Sequence, residues 1–124
     1  YMSVEDHDAA LAASSHVPHM VAYALTSMLA DHALSPIKHG GGALRDMTRI
    51  AASDPLMWRD IALTNRDAIL IAMDALAQEH DHLRTLVADA DGDAIETFFA
   101  RCREVRRKHD DILNPLTPES EQTD

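Results

Sequence analysis

A single cysteine, Cys102, stands in a chain of 124 residues. That excludes an internal disulfide framework and fits a reducing compartment. Aromatic residues make up only 4% of the chain, and runs of Val or Thr are missing, so the usual material of a sheet is absent. No apolar run is long enough to span a bilayer, so no membrane is expected as a partner. No G-x-G-x-x-G motif follows a strand-like segment and no Walker loop occurs, so the chain offers no cradle for a dinucleotide. No Ser-His-Asp arrangement can be built from spacing. Positive charge is scarce, with 11 Lys and Arg against 21 Asp and Glu and a net charge of -10. That argues against nucleic acid as a partner and leaves room for a local cationic pocket for a small anion. The opening "YMSVEDHD" has neither the basic stretch nor the apolar core of a secretion signal, and the expected location is cytoplasmic. Met2 stands behind Tyr1, which reads as a trimmed part of something longer.

What is present is helical material. Apolar residues reach 46%, mostly Ala, Leu, Ile and Met, which suits a folded all-α domain. Ser3 with Asp6 three residues on approximates a capping box. The apolar pattern then runs to about residue 34, with Pro18 inside it. Proline removes a backbone donor and clashes with the preceding turn, so a kink near residues 14 to 18 or two abutting helices is expected. "LSPIKHGGG" reads as a loop and "ALRDMTRIAA" as a short helix. Asp54-Pro55 reads as an N-cap with proline at the first helical position. A long helix is expected from about Pro55 to Ala88, with Ile61, Asn65, Ala68, Ala72, Met73, Leu76, Leu83 and Val87 on one stripe. Its middle, "AILIAMDALA", is apolar nearly all round, which calls for a partner chain over the second face and hence a homodimer. A last helix follows from about Asp93 to Leu113. The domain reading is one helical domain over 1–113 and a flexible tail over 114–124.

The stretch "GGGALRDMTRIAASDPLMWRD" carries the sharpest chemical question. Arg45 and Arg49 are four apart and share a helix face. They read either as a surface pair, with Asp46 bonded to Arg49, or as a grip for an anion. Glycines ahead of a helix N-terminus favour the second, since Gly41 and Gly42 admit a ligand to free N–H groups and arginine grips a carboxylate with two parallel bonds. In "SSHVPH", Ser15 and His19 also share a face. The plain reading is a core histidine bonded to a backbone carbonyl. A metal reading would use His16 and His19 with His7 and Asp8, but no third ligand stands at a compelling spacing and no metal site is assigned. "EHDH" at Glu79 to His82 reads as a solvated face, and nothing beside Cys102 marks it as a nucleophile. Trp58 reads as a core anchor, with a second role as the wall of a pocket.

The strings "HDAALAASSHVPHMVAYAL", "GGGALRDMTRIAASDPLMWRDI" and "NRDAI" strongly resemble the C-terminal helical domain of prephenate dehydrogenases. The resemblance runs from about His7 to Leu76, with a looser continuation to about residue 110. It implies an N-terminal Rossmann domain outside this chain that binds NAD or NADP, and a helical domain that interlocks with its twin. It implies prephenate as substrate, oxidised and decarboxylated to 4-hydroxyphenylpyruvate in a cleft between the domains. The catalytic histidine of that family belongs to the other domain, so no catalytic residue is expected here. By position, Arg49 matches the arginine that grips a substrate carboxylate, and His19 matches a histidine facing the substrate. Gly42, Asp46 and Trp58 match residues at the cleft, with Ser15 beside His19. Ala43-Leu44 departs from the family pattern, where the glycines run directly to an aromatic. Two further readings stand beside this one: a non-catalytic helical module that dimerises or binds a small carboxylate, and an arogenate dehydrogenase. An upstream reading frame for a Rossmann domain separates the first from an enzyme.

Overall fold

The computed structural model describes residues 2–114. Every regular element among them is helical. The chain divides into two compact units, Tyr1–Ala77 and Gln78–Asp124.

In the first unit, α1 spans Val4–Leu11. The Ser3 hydroxyl accepts from the Asp6 amide at 3.1 Å, as the capping pattern predicts. A π-helical turn, Ala12–His16, leads straight into α2, Val17–Ala30. The kink expected from Pro18 therefore takes the form of a widened turn. Val17 bonds back five residues to the Ala12 carbonyl, and Pro18, which has no N–H to give, falls in the first turn of α2. Widening the helix by one residue absorbs the proline without breaking the rod.

A 3-10 turn at Pro36–His39 and the glycine run lead to α3, Gly42–Thr48. The segment "ALRDMTRIAA" is not one helix. The Thr48 hydroxyl donates to the Leu44 carbonyl at 2.8 Å, and the chain tightens to a second 3-10 turn at Arg49–Ala52. Then α4 covers Pro55–Thr64, capped by the Asp54 carboxylate on the Leu56 amide at 3.0 Å. The helix expected to run unbroken from Pro55 to Ala88 is interrupted. Asn65 leaves helical geometry, with φ -107° and ψ 29°, and α5 begins at Arg66 and runs to Ala88.

The first unit is organised around α2, which packs against the π turn, α3 and both 3-10 turns. Among the described residues its buried set is small: Ala12, Val17, Ala22, Leu29, Trp58 and Ile69, with His16 the one buried polar residue. Ile69 is the only buried residue of α5. Leu70, Ile71, Met73 and Leu76 on the same helix are exposed.

In the second unit, Ala90 takes a left-handed conformation, φ 53°. This lets the Asp91 amide reach back to the Leu86 carbonyl and closes the end of α5. The Asp91 carboxylate then caps α6, Gly92–Lys108, through the Ala94 amide at 3.1 Å. The helix expected to run to Leu113 ends at Lys108, where His109 turns out of helical geometry, and a short α7 follows at Asp110–Leu113. His82 faces Phe98, ring centroids 5.6 Å apart, and Cys102 is exposed. All but the first residue of the tail expected over 114–124 lies outside the described residues. No helix of the described residues is long and apolar enough to cross a membrane.

Candidate functional site

The π turn places two histidines, His16 and His19, against one tryptophan. The imidazole of His19 stacks on the Trp58 indole, ring centroids 3.6 Å apart and planes at 18°. His16 meets the same indole edge-on at 5.9 Å and 83°. Trp58 and His16 are each 7% exposed, and His19 is half-buried. Trp58 reaches this position because Asp54 and Pro55 start α4 one turn before it, and its amide bonds to the Asp54 carbonyl.

Each ring has one nitrogen fixed. His19 Nδ1 lies 2.9 Å from the Ser15 carbonyl oxygen. A carbonyl only accepts, so Nδ1 carries a proton, and in the neutral ring Nε2 keeps its lone pair. The plain reading of His19, a histidine satisfied by a backbone carbonyl, holds for this nitrogen. Nε2 has no protein partner among the described residues and is the nitrogen free for a ligand. His16 Nδ1 lies 3.1 Å from Asn65 Nδ2, which also lies 3.0 Å from the Asp8 carbonyl.

Arg49 begins the 3-10 turn packed against α2, the helix that carries His19. Its side chain is exposed and forms no ion pair among the described residues. The surface reading paired it with Asp46. Asp46 instead lies 3.8 Å from Arg45 Nε, with both side chains open to solvent. The two arginines do not continue one α-helical face, because α3 ends between them at Thr48.

The glycine run lies beside a shallow hollow of about 220 Å³ lined by Thr26, Ile37, Gly40, Gly41, Leu44, Arg45 and Thr48. A Cβ on Gly40 would run into the Leu44 side chain, which would have to shift to admit it. Gly41 and Gly42 are different. A Cβ meets nothing within 4 Å at Gly41 and only the Arg45 guanidinium at 3.6 Å at Gly42. Neither has a positive φ, so the chain's own geometry does not demand glycine at either. The helix that begins at Gly42 is short, seven residues, and Gly41 before it provides no side-chain cap.

A larger groove, about 410 Å³, opens beside His16 between Leu11, Met57, Ile61 and Thr64. Asp8 and Asp60 also line it, and two carboxylates make it a poor receptacle for an anion.

Of the residues read from the sequence, His19, Ser15 and Trp58 are brought together directly. Arg49 joins them through the packing of its turn on α2, while Gly42 and Asp46 lie on α3, which packs on the same helix. Sequence reasoning missed the roles of His16 and Asn65. The signal was a polar residue inside an apolar stripe, which demands a partner when buried. Among the described residues no group of three His, Cys, Asp or Glu is placed to hold a metal ion.

Residues 3–101 match the family described as prephenate dehydrogenase, dimerization domain. Cyclohexadienyl dehydrogenase of Zymomonas mobilis is 39% identical over 109 residues, covering 85% of this chain and 37% of the relative. Prephenate dehydrogenase of Bacillus subtilis is also 39% identical over 109 residues, 85% of this chain and 29% of the relative. The chain thus spans 29 to 37% of the length of these curated relatives. Among solved structures, prephenate dehydrogenase from A. aeolicus in complex with hydroxyphenyl propionate and NAD+ superposes with a TM-score of 0.82 at 34% identity, over 87% of this chain and 39% of that one. Synechocystis arogenate dehydrogenase superposes with a TM-score of 0.82 at 25% identity, over 87% and 41%.

Proposed function

The chain belongs to the prephenate dehydrogenase family, matching it across the dimerization domain, and from that premise we propose that it is the substrate-binding and dimerising part of an enzyme that oxidises prephenate. The product is 4-hydroxyphenylpyruvate, formed with loss of carbon dioxide. The nicotinamide of NAD or NADP supplies the hydride acceptor and is held by a Rossmann domain outside this chain. This chain contributes binding and orientation.

Arg49 grips a substrate carboxylate through two parallel charge-assisted hydrogen bonds. Trp58 forms a wall of the cleft, and the free Nε2 of His19 accepts a hydrogen bond from the substrate. Ser15 stands beside it, Gly42 leaves room for close approach, and Asp46 lies next to Arg45. The observation that carries this reading is Arg49 itself. It is a guanidinium without a carboxylate partner among the described residues, on a turn packed against the helix that presents His19.

Arogenate is the second reading, and the likeness to the Synechocystis arogenate dehydrogenase favours weighing it. Arogenate has an amine where prephenate has a keto group. Kinetics of the full-length protein with each acid, NAD and NADP tests the proposal. Prephenate-dependent NADH or NADPH formation is the expected result, and turnover of arogenate alone overturns the choice of substrate. Calorimetry of the 124-residue chain with NAD should show no heat. Binding there would contradict the assignment of the cofactor to another domain.

A further inference from the structure

Asn65 sits at the junction of α4 and α5, where two helices meet without a loop. Its backbone keeps the helical ladder nearly intact: its amide bonds to the Ile61 carbonyl at 2.9 Å and its carbonyl accepts from Ile69 at 3.0 Å. Its own dihedrals nonetheless leave the helical range, φ -107° and ψ 29°, and its side chain bonds to distant partners. Its Nδ2 reaches the Asp8 carbonyl at 3.0 Å and His16 Nδ1 at 3.1 Å. These partners lie 57 and 49 residues away in sequence. One amide thus ties together the end of α1, the π turn and the α4–α5 junction.

The Asp8 carbonyl is the fixed reference in this arrangement. It accepts in every protonation state, so the atom facing it must be the amide nitrogen. Turning the amide over would set two oxygens against each other. The second N–H of that nitrogen then points at His16 Nδ1, which must accept and so carries no proton. The proton of the His16 ring is on Nε2. His19 is fixed the other way, with its proton on Nδ1 by the Ser15 carbonyl. Two imidazoles on one indole therefore present unlike Nε2 atoms, a donor on His16 and an acceptor on His19.

We propose that Asn65 is a positioning residue that holds His16 in its Nε2–H tautomer and thereby sets the ring edge-on against Trp58. It acts through His16 and touches no reacting atom. The assignment rests on protein geometry and not on the proposed substrate. Its test needs neither substrate nor cofactor, so its failure and the failure of the enzymatic reading are distinguishable.

The test is nuclear magnetic resonance of the 124-residue chain, nitrogen-15 labelled, with His16 identified by the loss of its signals in His16→Gln. In the wild type, His16 should show a protonated Nε2, an unprotonated Nδ1, and a scalar coupling across the hydrogen bond between Nδ1 and Asn65 Nδ2. A protonated Nδ1, or no coupling, overturns the proposal. Asn65→Asp replaces the donor with an acceptor-only carboxylate and should put a proton on Nδ1. A residue that only packs would leave Nδ1 unprotonated, and an unprotonated Nδ1 in a folded Asn65→Asp chain overturns the proposal as well. If circular dichroism shows this variant unfolded, the wild-type coupling decides alone.

Discussion

The imidazole of His19 lies flat on the indole of Trp58, ring centroids 3.6 Å apart and planes 18° from parallel. The contact joins α2 to α4, and Trp58 is the one large aromatic in the small buried set of the first unit among the described residues. Truncating it removes packing from both histidine rings at once. Trp58→Ala should cost about 3–5 kcal/mol of stability. Trp58→Phe should cost less, because a flat ring remains to face His19. Denaturant unfolding followed by circular dichroism measures both. A loss below about 1 kcal/mol for the alanine variant would show that the stack is not an anchor of this unit.

Gly42 separates a folding role from a binding role. The chain leaves space for a Cβ there and the position is helical. Gly42→Ala should therefore be neutral or stabilise by about 0.4–1 kcal/mol. In the full-length enzyme the same methyl group should raise KM for the substrate, because the space is kept for the ligand. A stabilised variant with unchanged KM would assign the glycine to neither role.

The exposed Leu70, Ile71, Met73 and Leu76 of α5 predict self-association. Four large apolar side chains on one short stretch of helix favour burial by a second copy of the chain. Sedimentation at micromolar concentration should give twice the 13.7 kDa chain mass. Ile71→Asp, which sets a charge on the most exposed of the four, should shift the equilibrium toward monomer. A wild-type chain that sediments at its own mass would refute the dimer.

Local signals in the sequence carried much of this fold. Ser3 and Asp54-Pro55 mark helix starts because a cap is made by residues two or three apart. Pro18 marks a distortion for the same reason. Its form was not legible: a proline permits a kink, a break or a wide turn, and tertiary packing chooses among them. The break at Asn65 was hidden altogether. The apolar stripe continues through it, and the partners that draw its side chain away lie about fifty residues distant. The Arg45–Arg49 face was misplaced because a short helix tightening to 3-10 at Thr48 leaves no trace in residue spacing. His19 and Trp58 could be named from the family resemblance and Ser15 from its spacing to His19, but the opposed tautomers of the two histidines come only from hydrogen bonds across the fold.

The central claim is that Arg49 anchors a carboxylate of the substrate, and Arg49→Ala in the full-length enzyme tests it most directly. A charge-assisted pair in a cleft contributes about 1.5–3 kcal/mol. Steady-state kinetics should therefore show kcat/KM lowered by roughly tenfold to a hundredfold or more, with NAD affinity almost unmoved. Arg49→Lys should restore part of the loss, since an ammonium lacks the two-pronged grip. Thermal melting provides the folding control. Unchanged KM and kcat, with only a small shift in melting, would contradict the account and leave Arg49 as an ordinary surface charge.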